Sequence, residues 1–113
     1  VKVLVVEDTI ELAALVQMAL EQSGWEVDLA YDGAGALALA RPTHHLLLVD
    51  LGLPDMTGGE LVALLRRQAG LADIPAIWFT AQRDGAVPEG GVGMIQKPFD
   101  PLSLAHNISE ILG

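Results

Sequence analysis

The chain has 113 residues, no cysteine, 51% apolar residues and a formal net charge of -9. That length suits one domain spanning 1–113 and burying roughly two thirds of its unfolded surface, while the missing cysteines exclude disulfides and thiolate chemistry. The acidic balance argues against direct nucleic-acid binding, which needs clustered Lys and Arg, and no apolar stretch approaches the ~18 residues of a membrane span.

The opening "VKVLVV" is too short for a signal-peptide core and stops at Glu7 and Asp8, so a cytoplasmic protein without membrane insertion is expected. A first strand is predicted over Val3 to Val6. A helix follows from Thr9, which suits a cap, with Ile10, Ala13, Ala14, Val16, Met18 and Leu20 available to pack and Gly24 as its stop. "WEVDLA" reads as a second strand, and "GAGALALA" as a second helix ended before Pro42. It is not a nucleotide loop, since no GK[ST] follows. "LLLVD" is the third strand. "GGELVALLRRQAG" is the third helix, with Leu61, Leu64 and Leu65 on one side and Gly70 as its stop. The adjacent Arg66 and Arg67 belong to a solvated face. "IPAIWFT" is the fourth strand, "VGMIQKPF" contains the fifth, and "DPLSLAHNISEIL" is the last helix, with Leu104, Ile108, Ile111 and Leu112 facing in. His44 and His45 are placed at a strand entry, His106 on the surface, and Trp25 and Trp78 in the core or at its margin.

Strands alternating with helices imply right-handed crossovers and a parallel sheet covered on both faces. Ligands in such folds sit at the carboxyl ends of the strands. The first strand ends in Glu7 and Asp8, the third in Asp50, the fourth in Thr80 and the fifth in Lys97. Two like charges ~4 Å apart repel by about 1 kcal/mol in water and about 4 kcal/mol at the effective dielectric of a protein surface. Three carboxylates therefore need more cation than Lys97 supplies. A hard divalent ion such as Mg²⁺ fits, because it takes one or two carboxylates and keeps waters. Mg²⁺, a Lys and a hydroxyl around an aspartate form a phosphoryl-binding constellation in which Asp50 attacks in line.

The segments "VVEDT" at 5–9, "VDLGLPDMTGGEL" at 49–61, "FTA" at 79–81 and "QKPF" at 96–99 resemble the receiver domain of bacterial two-component response regulators. Asp50, Pro54 and Gly58 match that family's pattern of Asp, Pro and Gly, and the likeness covers essentially the whole chain. It implies a flavodoxin-like, doubly wound α/β fold, with a five-stranded parallel sheet in the order 2-1-3-4-5 and helices on both faces. It implies Asp50 as phosphoacceptor, with Mg²⁺ (or Mn²⁺) held by Asp8, Asp50, the Gly52 backbone carbonyl and, through water, Glu7. Thr80 and Lys97 would bind phosphoryl oxygens, and Ala81 would leave room for them. The implied donor is the phosphohistidine of a sensor histidine kinase or phosphotransfer protein, or a small acyl phosphate, and the implied output is binding of a downstream protein.

Two departures from the family stand out. The interval from Thr80 to Lys97 is short and "AQRDGAVPEGG" holds three glycines and a proline, which disfavour helix by about 1 and 3 kcal/mol per residue; the fourth helix of the family is expected to be missing or shortened. The switch position, usually aromatic, is Met94, a flexible gap-filler that should couple poorly to Thr80. Gly52 offers no side chain to steer a water in dephosphorylation, so Gln82 is the candidate for that role. A Mg²⁺-dependent aspartyl-phosphate phosphohydrolase is the alternative. Such haloacid-dehalogenase-like enzymes show a second acid two residues after the nucleophile, where this chain has Gly52. A degenerate receiver acting only as a binding module would need a lost acceptor, metal ligand or Lys, and none is lost. The expected protein is thus a signalling module, not an enzyme acting on other substrates.

Overall fold

Short runs of Val, Leu and Ile favour buried strands because branched side chains pack well on a pleated surface. In the computed structural model, which describes residues 1–81 and 87–113, five such runs form strands: β1 (Lys2–Val6), β2 (Glu26–Ala30), β3 (Leu46–Asp50), β4 (Ala76–Thr80) and β5 (Gly93–Gln96). Four helices accompany them: α1 (Ile10–Gln22), α2 (Gly33–Leu39), α3 (Gly58–Leu65) and α4 (Leu104–Leu112). All strand pairs are parallel and the order is β2-β1-β3-β4-β5, as expected of a flavodoxin-like sheet. The central β3 is buried along Leu46–Val49.

Strand alternation divides the core into two layers. Leu4, Val6, Leu47, Val49, Ala76 and Trp78 face α2 and α3. Val3, Val5, Leu46, Leu48, Ile77, Phe79 and Ile95 face α1 and α4. Helix ends follow local chemistry. Gly24 and Gly70 adopt φ of 84° and 81°, conformations that cost little without a Cβ; Gly24 lies just beyond α1, whereas α3 ends at Leu65, earlier than expected, and turns carry the chain on to Gly70. Thr57 caps α3 by accepting from Glu60 N–H at 3.0 Å.

Several expected packing positions are corrected. Thr9 stands at the N-cap of α1, but its side chain makes no cap bond. On α1, Ala13, Val16, Ala19 and Leu20 are buried, while Ile10, Ala14 and Met18 are exposed. The helix is set by its smaller residues, which let it approach the sheet closely. On α3, Val62 takes the inward place expected of Leu64, which is exposed, and Leu112 on the final turn of α4 is exposed too. Trp78 is fully buried and Trp25 packs at the core margin.

No helix lies between β4 and β5 among the described residues, Ala81 and 87–92. The loop reaching β5 covers the bare face instead. Trp78 Nε1 donates to Pro88 O at 2.9 Å. Gly91 passes so close to the indole that a Cβ there would collide with it. Arg66, at the end of α3, donates to Leu71 O and Ile74 O, and at 3.4 Å to Gly90 O. Met94, opposite Trp78 in the β4–β5 register, is half-buried against the same layer. Among the described residues, this face of β4 is thus covered by a loop hydrogen-bonded to the Trp78 indole. Trp78→Phe, which removes the indole N–H from Pro88 O and part of a buried ring, should lower stability by about 1–3 kcal/mol, measured as a shift of the urea midpoint at constant slope.

Candidate functional site

Glu7 and Asp8 follow β1 directly, Asp50 ends β3, Thr80 ends β4 and Lys97 follows β5. The ladder continues one step beyond two of these strands: Glu7 N–H donates to Ala30 O at 3.0 Å and Lys97 N–H to Thr80 O at 2.8 Å. Period-two alternation then sets Glu7, Asp50 and Lys97 in phase with Val5, Leu48 and Ile95, all of the α1/α4 layer. Pleat and register bring the three together.

Lys97 Nζ lies at their centre. It donates to Asp50 Oδ2 at 3.0 Å and stands 2.5 Å from Glu7 Oε1. It also sits 5.0 Å from the Phe79 ring centroid, within reach of a cation–π attraction. Asp50 Oδ1 accepts from Gly52 N–H at 3.0 Å, and Glu7 Oε2 accepts from Thr9 N–H at 3.0 Å. Glu7 Oε1 is buried and, although it faces the ammonium, accepts no aligned hydrogen bond. One oxygen from each of Glu7, Asp8 and Asp50 lies within 4.8 Å of the others. A buried oxygen short of donors, in an all-carboxylate cluster, fits a hard cation such as Mg²⁺ or Mn²⁺.

Burial pushes the Glu7 carboxyl above its usual range and outweighs the Lys97 contact and the Thr9 bond that favour its charge; the Asp50 carboxylate adds to the rise. Burial also pulls at the Lys97 ammonium, but Glu7 and Asp50 outweigh it and hold the group above its usual range. The two do not gain equally. Glu7 is wholly enclosed, whereas 19% of the Lys97 side chain stays exposed and keeps part of its hydration.

Thr80 is buried at the end of β4, and Ala81 is exposed beside it at the rim. Gly52 is exposed in the loop after β3 and bridges to Thr57. Gln82 lies outside the described residues. Gly58 has a packing reason to be glycine: a Cβ there would stand 2.5 Å from Asp50 O and 3.1 Å from Trp78 Cζ3. His44 is buried away from this edge, its Nδ1 accepting from Arg41 N–H at 3.0 Å and its Nε2 lying 2.8 Å from Asp28 Oδ2. His106 is an exposed partner of Glu110.

Two acids escaped the sequence reading. Asp32 caps α2 by accepting from Gly35 N–H at 2.6 Å; an Asp before a small-residue helix is a legible cap signal. Asp55 reaches the same helix end from the loop after β3, accepting from Gly33 N–H at 2.8 Å and Ala34 N–H at 3.0 Å. No local pattern announces that contact.

Residues 3–109 match the family model described as the response regulator receiver domain. The chain is 34% identical, over 98% of its length, to the response regulator ArlR of Staphylococcus saprophyticus. It is 33% identical, again over 98%, to the phosphate regulon transcriptional regulatory protein PhoB of Klebsiella pneumoniae. It spans about half the length of these relatives, 52% and 51%. The chemotaxis response regulator CheY4 of Vibrio cholerae superposes with a TM-score of 0.85 at 32% identity, covering 97% of both chains.

The raised Glu7 pKa carries a sign for stability. Below its unfolded value the carboxyl is protonated in both states and costs nothing; above the folded value the ionised, buried form weighs against folding. Without metal, Glu7→Gln should thus be more stable than the parent at pH 7.5, by roughly 0.5–3 kcal/mol, the scale of single substitutions. The gain should vanish below about pH 4.5, the ordinary value. Urea unfolding at both pH values checks it.

Proposed function

Because the chain belongs to the response regulator receiver family, whose domains are signalling modules, we propose that residues 1–113 form one receiver domain in which Asp50 is the phosphoacceptor. The donor is the phosphohistidine of a sensor histidine kinase or phosphotransfer protein, or a small acyl phosphate. One Asp50 oxygen attacks phosphorus and forms the acyl phosphate. The phosphorus–nitrogen bond breaks and its electron pair stays on the departing ring, which, protonated at its other nitrogen, leaves as neutral imidazole; from an acyl phosphate the phosphorus–oxygen bond breaks and a carboxylate leaves. The observation that carries this reading is the Lys97 ammonium held between Asp50 Oδ2 and the buried Glu7 Oε1, a cation fixed where phosphoryl charge arrives.

Asp8 and Asp50, with the Gly52 carbonyl and, through water, Glu7, would hold Mg²⁺ (or Mn²⁺). Bound there, the ion supplies positive charge that offsets the carboxylates and the phosphoryl oxygens. Lys97 and Thr80 take the remaining oxygens, and Ala81, small and at the rim, leaves the approach open. The chain acts only on its own Asp50, forming and losing the phosphoryl group, and does not turn over a separate substrate. The phosphorylated form is read by a downstream protein, with half-buried Met94 standing at the switch position. The domain's charge of -9 keeps it from contacting DNA itself. Among the described residues, no helix is long and apolar enough to cross a membrane, which agrees with the cytoplasm as the place of action.

Incubation with acetyl phosphate and Mg²⁺ should add one phosphoryl mass to the intact protein, and Asp50→Asn should abolish the addition. A modification that survives in Asp50→Asn reassigns the acceptor. Mg²⁺ at one hundred times its dissociation constant should raise the unfolding free energy by about 2.7 kcal/mol. Asp8→Ala should remove most of that gain in thermal unfolding.

A further inference from the structure

The loop of residues 51–57 is tied together internally. Gly52 bridges to Thr57, Leu53 N–H donates to Met56 O at 3.2 Å, and Gly58 N–H donates to Leu51 O at 2.8 Å. Such a loop moves as a unit, so its position is set by what it grips outside itself. Outside itself it has two holds: Leu51, Leu53 and Met56 pack against the core layer, and Asp55 grips the start of α2. The two Asp55 oxygens take Gly33 N–H and Ala34 N–H separately, at 2.8 and 3.0 Å. Met56 closes over the same point: a Cβ at buried Gly33 would lie 2.5 Å from Met56 Sδ. Asp32 accepts from Gly35 N–H, and Asp55 serves two further amides of that helix end and ties them to the loop. The two backbone bonds also hold the Asp55 carboxyl below its usual range, so the exposed group stays ionised and keeps both acceptors.

We infer that Asp55 is a positioning residue for the phosphoacceptor site, anchoring the 51–57 loop to α2 so that Gly52 is held against Asp50. Gly52 already gives its N–H to Asp50 Oδ1 at 3.0 Å. The inference rests on the proposed metal site, in which Gly52 also gives its carbonyl. Released from α2, the loop keeps its internal bonds and the Gly52 bond to Asp50 but loses an outside support for that placement. The metal then pays for ordering it.

The test compares Asp55→Ala with Asp32→Ala, since both remove acceptors from the same helix end but only the first frees the loop. Titration with magnesium chloride by calorimetry gives the affinity, and urea unfolding gives the stability of each. Asp55→Ala should weaken Mg²⁺ binding about tenfold, the low end for residues that orient a metal's ligands. It should also speed hydrogen exchange at the Gly52 amide. Asp32→Ala should lower the urea midpoint and leave Mg²⁺ affinity within about a factor of two. Asp55→Asn, which keeps one acceptor oxygen and most of the fold, should fall between. Equal Mg²⁺ affinity in Asp55→Ala and the parent, or equal weakening in both alanine variants, overturns the positioning role while leaving the metal site standing. A parent protein that binds no Mg²⁺ removes the metal reading, and the inference with it.

Discussion

Glu7 is fully buried beside Asp50, and an ionised carboxylate taken out of water costs several kcal/mol unless a cation and donors replace its hydration. The Thr9 amide serves one oxygen and the Lys97 ammonium faces the other. For Lys97 to do so, β5 must lie beside β4 in the register that pairs Thr80 with Gln96, and β3 must place Asp50 within reach of the same ammonium. Phe79 lines the path of the lysine stem. Strand order, register and pleat are thus constrained by the demand of one enclosed charge. The demand is only partly met: burial keeps Glu7 harder to ionise than a free carboxyl, and the clustered oxygens of Glu7, Asp8 and Asp50 fit a hard cation.

Most of the fold was legible in the sequence because its signals are local. The apolar runs ending in Glu7, Asp50 and Thr80 read directly as buried parallel strands, and Gly24 marked the end of α1, whereas α3 stops at Leu65, well short of Gly70. The short, glycine-rich passage before β5 declared that a helix would not fit there, and none is present among its described residues. What local signals misjudge is which side of a helix faces in. Ile10 and Met18 are as apolar as Val16 and Leu20, yet only the latter pair is buried. Hydropathy ranks residues, but the close approach permitted by Ala13 and Ala19 fixes the rotation of α1 on the sheet.

The site was legible for a related reason. In a doubly wound sheet, strand ends are points of convergence, so Glu7, Asp8, Asp50, Thr80 and Lys97 could be grouped without coordinates. The topology then brings Lys97 to Asp50 across 47 positions of sequence. Contacts between two loops have no such rule. Asp55 and Gly33 are 22 positions apart, each in a turn whose composition suits many conformations. Their meeting depends on how α2 and α3 pack side by side, a tertiary fact that neither segment encodes alone. Gly58 is intermediate: its place in the family pattern was visible, whereas its reason, the approach of Asp50 O and the Trp78 ring, is a matter of packing.

β4 joins the chemical edge of the sheet to the unusual passage that follows it. Phe79 packs on one face under Lys97 and against Phe99, with ring centroids 5.3 Å apart. Trp78 packs on the other face, under Pro88, Gly90 and Gly91. Thr80, at the strand's end, lies in the same alternation as Trp78. The lid over that indole is held by one Trp78 hydrogen bond, a longer one from Arg66 and glycine contacts, where a helix would offer an interlocked row of side chains. Among the described residues, the β4–β5 connection is therefore packed on the sheet through Trp78 and its loop partners and not through a helix.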